Sequence, residues 1–469
     1  MTLAIAGPST GQGPDDHLWD DGERADLLRY ARDTWHSFEG MTGANGLPAD
    51  QLQRDDKGEW RPTVQTSPTD IASYLWSTLA ARSLGLIDDA EADRRIGATL
   101  ETLGKLGRDH GFFFEIYNVE TGASMGVWGD KRHPHRPFLS SVDNGWLAAA
   151  LTMVRNARPA LRGQAEALLA PMDFGFFYVP FDPADPVKRP GQLRGGYYAD
   201  DRTFTQFCYG MLITEPRIAS YLGIARGQIP PEHYYRLYRT LPADQRQFRA
   251  PVGETRHYLG VPVFEGHYTF RDFRVVPSWG GSMFEALMVP LLVPEESWGP
   301  KSWGVNHPLY VRGQIEQGLE VRRYGYWGFS PCSTPESGYQ AYGVNGLGTE
   351  VDGYYTYEDA PRKGVARDGV VTPHASFLAL RYAPVEAMAN LRKLEKGFPI
   401  YGPRGFADSV NTRTGVVSHS VLALDQGMIL AAIANALADD AMRRAFVDEA
   451  MESKLRPLMA PEEFTAGTR

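Results

Sequence analysis

The chain has 469 residues with 57 acidic and 48 basic side chains, and its net charge of −9 argues against a nucleic-acid partner, which needs a concentrated basic surface. Its 43% hydrophobic and 22% charged residues are those of a soluble globular protein with a large core. Two cysteines, Cys208 and Cys332, are too few for a disulfide framework and lack metal-ligand spacing, so no cofactor or metal is expected.

Residues 1–17 are rich in Gly, Pro and Ser and read as a flexible tail. They have no basic n-region or apolar h-region, and no run of about 18 apolar residues follows anywhere. The expectation is therefore a cytoplasmic protein with no membrane segment, folded as a single domain over 18–469.

The first helix is predicted from Asp21 to Phe38. Ser67, Pro68 and Asp70 then form an N-terminal capping signature for an apolar helix from Ile71 to Leu84. Asp88 and Glu91 open a more polar helix reaching Leu106. The alternation of an apolar helix with a polar one recurs. Ser141–Asn156 is followed by Leu161–Leu169, and Thr214–Arg226 by Pro231–Arg239. Ser282–Leu292 precedes Trp303–Arg322, and Pro373–Leu380 precedes Pro384–Lys396. Leu424–Ala436 and Ala438–Ser453 close the chain. Connections within pairs are short, whereas those between pairs are long and rich in Gly, Tyr, Trp and Asp; the stretch from Ala250 to Val276 alternates as a β-hairpin does. The layer logic favours apolar helices wrapped by polar ones, an (α/α)6 toroid with long loops on one face.

Acids stand where those loops meet the apolar helices: Asp143, Glu215, Glu285 and Asp425. Thr214 is read as the N-cap of the helix after Glu215, with Pro216 in its first turn. Any one of these acids answers equally to the helix dipole. Glu285, between Phe284 and Ala286, is the hardest to dismiss, because a carboxylate in an apolar helix needs a partner or a cavity. Several acids converging with aromatics suit glycoside cleavage, which needs a protonated carboxyl and a second carboxylate. His133-Pro134-His135 is a weak metal motif, and no HExxH, Walker A or nucleophile-elbow pattern is present.

Five segments then carry a family resemblance: Gln65-Thr66-Ser67-Pro68-Thr69-Asp70-Ile71, Ser141-Val142-Asp143-Asn144-Gly145, Thr214-Glu215-Pro216-Arg217-Ile218-Ala219-Ser220, Ser278-Trp279-Gly280-Gly281-Ser282-Met283-Phe284-Glu285 and Ala423-Leu424-Asp425-Gln426-Gly427-Met428. In this order they resemble the glucoamylase-like domain of bacterial β-1,2-glucan enzymes, glycoside hydrolase families 144 and 189, which are (α/α)6 toroids without a metal. The resemblance implies Glu215 as general acid and Glu285 as a second glutamate, the nucleophile of the cyclisation branch. It implies that Asp143 and Asp425 line the cleft and position or activate water. The family often has Ser-Glu-Ala-Arg where this chain has Thr214-Glu215-Pro216-Arg217. It often has His-His-Gln-Gly-Met where this chain has Leu424-Asp425-Gln426-Gly427-Met428.

The expected glucan contacts are Arg217, Trp128, Trp146, Trp279, Trp327, Glu336, Tyr339, Gln340, Tyr342 and Gln426, with Tyr324 a further aromatic. For the aromatics, core packing is the competing explanation. The expected activity is hydrolysis or transglycosylation of β-linked glucan, most simply β-1,2-glucan. The alternatives are a carbohydrate-binding protein without catalysis, or an α/α-barrel epimerase or lyase using His374 or His419.

Overall fold

Capping chemistry starts the first helices where the sequence places them. The computed structural model describes residues 19–55, 57–128, 133–242, 249–335, 338–349 and 369–468; the expected tail over 1–17 lies outside them. Helix α1 spans Asp21–Met41. Helix α2, Pro68–Ser83, opens on a capping box in which Ser67 and Asp70 bond each other reciprocally. Helix α3, Asp89–Leu103, is capped by Asp88.

The chain continues through α4 (Ser141–Ala157), α5 (Arg162–Leu169), α6 (Arg217–Ala225), α7 (Glu232–Arg236), α8 (Met283–Leu287), α9 (Glu295–Trp298) and α10 (Trp303–Glu316). It ends with α11 (Pro373–Leu378), α12 (Pro384–Gly397), α13 (Ala423–Leu437), α14 (Ala441–Phe446) and α15 (Glu449–Met459). Several boundaries differ from the pattern: the expected 282–292 helix stops at Leu287 before a 3-10 turn at Val289–Leu291, and the expected 231–239 helix shortens to Glu232–Arg236. The expected helix to Arg322 passes from α10 into a π-helical turn at Gln317–Val321. The expected helix over 438–453 is divided into α14 and α15, because Asp439 and Asp440 both take positive φ and break the first turn.

Helices α2, α4, α6, α8, α11 and α13 are buried along most of their length. Helix α2 packs on α4 and α13, α4 on α6, and α11 on α8 and α13. Side-chain bonds from Arg217 in α6 to the Glu285 and Ala286 carbonyls of α8 join the remaining neighbours. The more polar helices α1, α3, α5 and α12 lie against this apolar set, α1 beside α13 and α3 beside α2. Their amphipathic pattern reflects one buried and one wet face.

The two ends of the circuit are tied by a small antiparallel sheet. Gln51–Arg54 pairs with Trp60–Pro62 and with Ser420–Leu422, matching Leu52 to Val421. The expected hairpin after Ala250 forms from Val252–Tyr258 and Val261–Phe270. Leu259 and Gly260 both have positive φ at its tip, the backbone of a two-residue hairpin turn. Among the described residues, no helix is long and apolar enough to cross a membrane.

Candidate active site

One local device recurs at the site. In α2, α4 and α8 a serine just before the helix accepts a backbone N–H from the third helical residue, and that residue is an acid. Ser67 serves Asp70, Ser140 serves Asp143, and Ser282 serves Glu285. Asp425 is likewise the third residue of α13. The cap fixes the first turn, and the turn brings each carboxyl to the end of the buried helices where the long loops return.

Glu215 reaches the same end differently. Thr214 does not cap α6; the helix starts at Arg217, after a tight turn in which Arg217 and Ile218 N–H groups bond the Thr214 and Glu215 carbonyls. Pro216 resets the helix start in this way. Thr214 Oγ1 is thereby free to donate to Glu285 Oε2 at 2.6 Å, and the Glu215 amide donates to the same oxygen at 2.8 Å. The Glu215 carboxyl receives Trp146 Nε1 at 2.7 Å on Oε2.

Electrostatics separates these carboxyls. Burial, then the adjacent Glu285 charge, pushes Glu215 well above the carboxylate range against the opposing Trp146 bond. Glu285 is also raised by burial, but the Thr214 hydroxyl and the Glu215 amide both favour its anion. Asp143 is raised to about 6 by burial and the charge of Glu115, although Ser140 and Thr69 oppose the rise; Thr69 Oγ1 donates to its Oδ1 at 2.6 Å. Asp70 is raised to about 8 by burial and the nearby Asp50. Asp425 is raised to about 7, mainly by burial. Helix N-termini favour carboxylate anions by about 0.3–1 kcal/mol, and here burial and mutual repulsion outweigh that term.

Two tyrosines feel the charges of these acids. The Tyr209 phenol is held well above its usual range by burial and by the charges of Glu215, Asp143, Glu285 and Glu115. Tyr339 is 53% exposed, yet burial of its hydroxyl end and the charges of Asp425, Glu215 and Asp408 push its phenol up strongly. Phe207, 55% exposed, packs edge-on to Tyr209 with ring centroids 5.7 Å apart.

Beneath Glu215 and Glu285 lies a buried ionic cluster. Arg217 makes a two-pronged bond to Glu295 at 2.7 and 3.1 Å. Its remaining donors hold the carbonyls of Thr214, Glu285 and Ala286 at 2.8–2.9 Å. Tyr221 and His307 complete the shell of Glu295. One planar guanidinium thus fixes the spacing of the two chain segments that carry the glutamates.

Residues 314–449 match the Glycoamylase family model, described as putative glucoamylase, and residues 29–175 match a model of proteins of unknown function, DUF3131. Cyclic β-(1,2)-glucan synthase NdvB of Rhizobium meliloti is 29% identical over an alignment of 561 residues, covering 90% of this chain. The chain spans 18% of the length of that curated relative. The resemblance is to the glucoamylase-like family of β-1,2-glucan-active enzymes.

Solved structures share this glucoamylase-like fold, among them two β-1,2-glucanases. The endo-β-1,2-glucanase of Chitinophaga pinensis, in complex with sophorotriose and glucose, superposes with a TM-score of 0.65 at 16% identity, over 93% of this chain and 98% of that one. The β-1,2-glucanase of Parabacteroides distasonis gives 0.67 at 16% identity, over 95% of this chain and 61% of that one. At these identities the likeness is one of fold.

Within the glucoamylase-like scaffold the expected contact residues divide. Trp279, Tyr339 and Gln340 keep part of their surface open. Arg217 does not: its side chain is wholly buried and turned into the ionic cluster, so it cannot touch a ligand. Trp146 is also buried, and its indole holds Glu215 instead of stacking on a sugar. Trp327 and Tyr342 are core residues. Gln426 is buried with Nε2 on the Phe406 carbonyl. Glu336 and the Trp128 side chain lie outside the described residues. His135 Nε2 lies 3.0 Å from Glu115 Oε2; among the described residues no group of His, Cys, Asp and Glu is arranged to hold a metal. His374 is buried and His419 is exposed.

Sequence reasoning missed Tyr209, Glu295 and Asp408. Glu295 sits 78 positions from its partner Arg217, beyond any local pattern. Asp408, flanked by Phe406, Ala407 and Val410, does carry a signal, because an acid inside an apolar strand-like segment is costly unless paired.

Proposed function

We propose that this protein is a glycoside hydrolase or transglycosylase acting on β-1,2-linked glucan, with α2, α4, α6, α8, α11 and α13 forming the inner ring of an (α/α)6 toroid. The observation that carries the reading is the Glu215–Glu285 pair. Burial raises both carboxyls, but the Thr214 hydroxyl and the Glu215 amide favour the Glu285 anion while the Glu285 charge raises Glu215 further, which supports Glu215 as the acid and Glu285 as the anion. Glu215, desolvated and beside a negative charge, is the general acid that protonates the glycosidic oxygen. Glu285, held as an anion by the Thr214 hydroxyl and the Glu215 amide, attacks the anomeric carbon and forms a glycosyl-enzyme. Glu215, now ionised, removes a proton from incoming water or from a sugar hydroxyl, which releases the sugar and restores both groups. The names of the relatives supply the linkage, and the exposed Phe207 and Tyr339 with the half-buried Tyr209 and Trp279 supply flat apolar surfaces for glucose rings.

A second reading gives Asp425 the role of base in an inverting reaction. The Tyr339 phenol feels the charges of both Asp425 and Glu215, which supports a role for Asp425 near Glu215. The test is incubation with linear β-1,2-, β-1,3- and β-1,4-glucans, with product anomers followed by proton NMR. Cleavage of the β-1,2 polymer with initial β-anomer supports Glu285 as nucleophile, and α-anomer supports Asp425 as base. Absence of cleavage of the β-1,2 polymer contradicts the proposal.

Trp146→Phe removes the donor to Glu215 and leaves a ring of similar shape. Its kcat is expected to fall about tenfold, the worth of a hydrogen bond to a reacting group of about 1.5 kcal/mol. The loss should vanish in the Glu215→Gln background, and a double mutant kinetic cycle checks it.

A further inference from the structure

Asp408 is a carboxyl the mechanism above does not use. It lies between the short strands Gly405–Phe406 and Val410–Asn411 and is almost fully buried. Its Oδ2 accepts the Ser333 amide, and its Oδ1 is buried without a donor. Asp425 has the same deficiency at Oδ2, and the two carboxyl groups lie within hydrogen-bonding reach of each other.

His374 does not fill the gap. Its Nδ1 lies 2.8 Å from Thr372 Oγ1 and 2.9 Å from Asp425 Oδ2. Thr372 gives its one proton to the Asp408 carbonyl at 2.7 Å, so Nδ1 carries the proton and donates it to Thr372. Burial lowers the imidazole to about 4, which keeps it neutral, and Nε2 has no partner. Two buried carboxylates in contact with no donor between them repel strongly; a single shared proton turns the repulsion into a hydrogen bond.

We propose that Asp408 is a positioning residue that presents one proton to Asp425, so that the pair holds a single negative charge, on Asp425, at the edge of the glucan cleft. The proposal rests on the functional reading above for the location of the cleft. Burial and the Asp425 charge hold Asp408 well above the carboxylate range. Burial raises Asp425 to about 7, and the Asp408 bond works against that rise. The other titratable groups facing the pair, His374, Cys332 and Tyr339, are kept neutral chiefly by burial. Asp408 also anchors the strand pair that carries Tyr339, through the Ser333 amide and through Ser409, whose Oγ donates to the Ser333 carbonyl at 2.6 Å.

Asp408→Asn mimics the protonated acid: its amide nitrogen faces Asp425 and its oxygen accepts from Ser333. Its kcat/KM on linear β-1,2-glucan should stay within about threefold of wild type, with an unmoved acid limb in the pH profile. Asp408→Ala removes the donor, so the Asp425 carboxyl, followed by infrared pH titration, should take up its proton about one pH unit higher than in Asp408→Asn; the acid limb of kcat/KM follows it only if Asp425 is the base. Infrared difference spectra of wild type minus Asp408→Asn at neutral pH read the proton independently of catalysis, and should show one protonated carboxyl band. A carboxylate band in that difference overturns the proposal, as does an Asp425 titration that Asp408→Ala leaves where Asp408→Asn leaves it. If wild type cleaves no glucan, the functional reading fails while the infrared result still decides the pair.

Discussion

Glu215→Gln is expected to lose roughly 10²–10⁴-fold in turnover of natural glucan, the range for removal of a general acid. Gln has the shape of the protonated acid and can still accept from Trp146, so substrate affinity and the thermal midpoint should stay close to wild type. The size of the loss depends on the leaving group. A sugar alkoxide leaves only with a proton, whereas a dinitrophenolate leaves without one. Thermal melts followed by circular dichroism, beside initial rates, check that the loss is chemical.

The largest expected change in stability is at Arg217. Arg217→Ala strands the wholly buried Glu295 and deprives the Thr214, Glu285 and Ala286 carbonyls of their donor. Breaking one side of a buried ion pair costs roughly 3–5 kcal/mol, measurable by urea titration. Adding Glu295→Gln should recover part of that cost, because much of the penalty belongs to the stranded carboxylate. Arg217→Lys keeps the charge without the fork and should fall between. The pH dependence has a definite sign. Burial would raise Glu295, but Arg217 and His307 outweigh it and hold the carboxyl at about 2, below its ordinary 4.5. A carboxyl depressed on folding stabilises above its unfolded value, so the pair's contribution is full above about pH 4.5 and is lost as pH falls toward about 2. Arg217→Ala should flatten that part of the profile.

The sequence made the buried helices legible because capping signals are local. Ser67 with Asp70, and the serines ahead of Asp143 and Glu285, define helix starts within a few residues, and an acid at the third position then faces the loop end. Glu215 was legible as an acid but not in its setting, because Pro216 delays the helix and frees Thr214 for Glu285 instead of the backbone. The aromatics were the weakest guide. Trp146, Trp327 and Tyr342 sit in the same kind of loop-to-helix sequence as Trp279 and Tyr339, and only three-dimensional burial separates them. Arg217 looked like a ligand contact because its partner Glu295 is remote in sequence. The Asp408–Asp425 meeting depends on two short strands and a sheet that joins the chain's first and last segments, which no periodicity encodes.

The central claim is that Glu215 delivers the proton to the departing sugar. The most direct measurement compares wild type and Glu215→Gln on linear β-1,2-glucan and on a 2,4-dinitrophenyl β-sophoroside. The account predicts a loss of at least about a hundredfold on the glucan and near-wild-type release of dinitrophenolate in the first turnover. Equal losses on both substrates, or full activity of Glu215→Gln on the glucan, would contradict it.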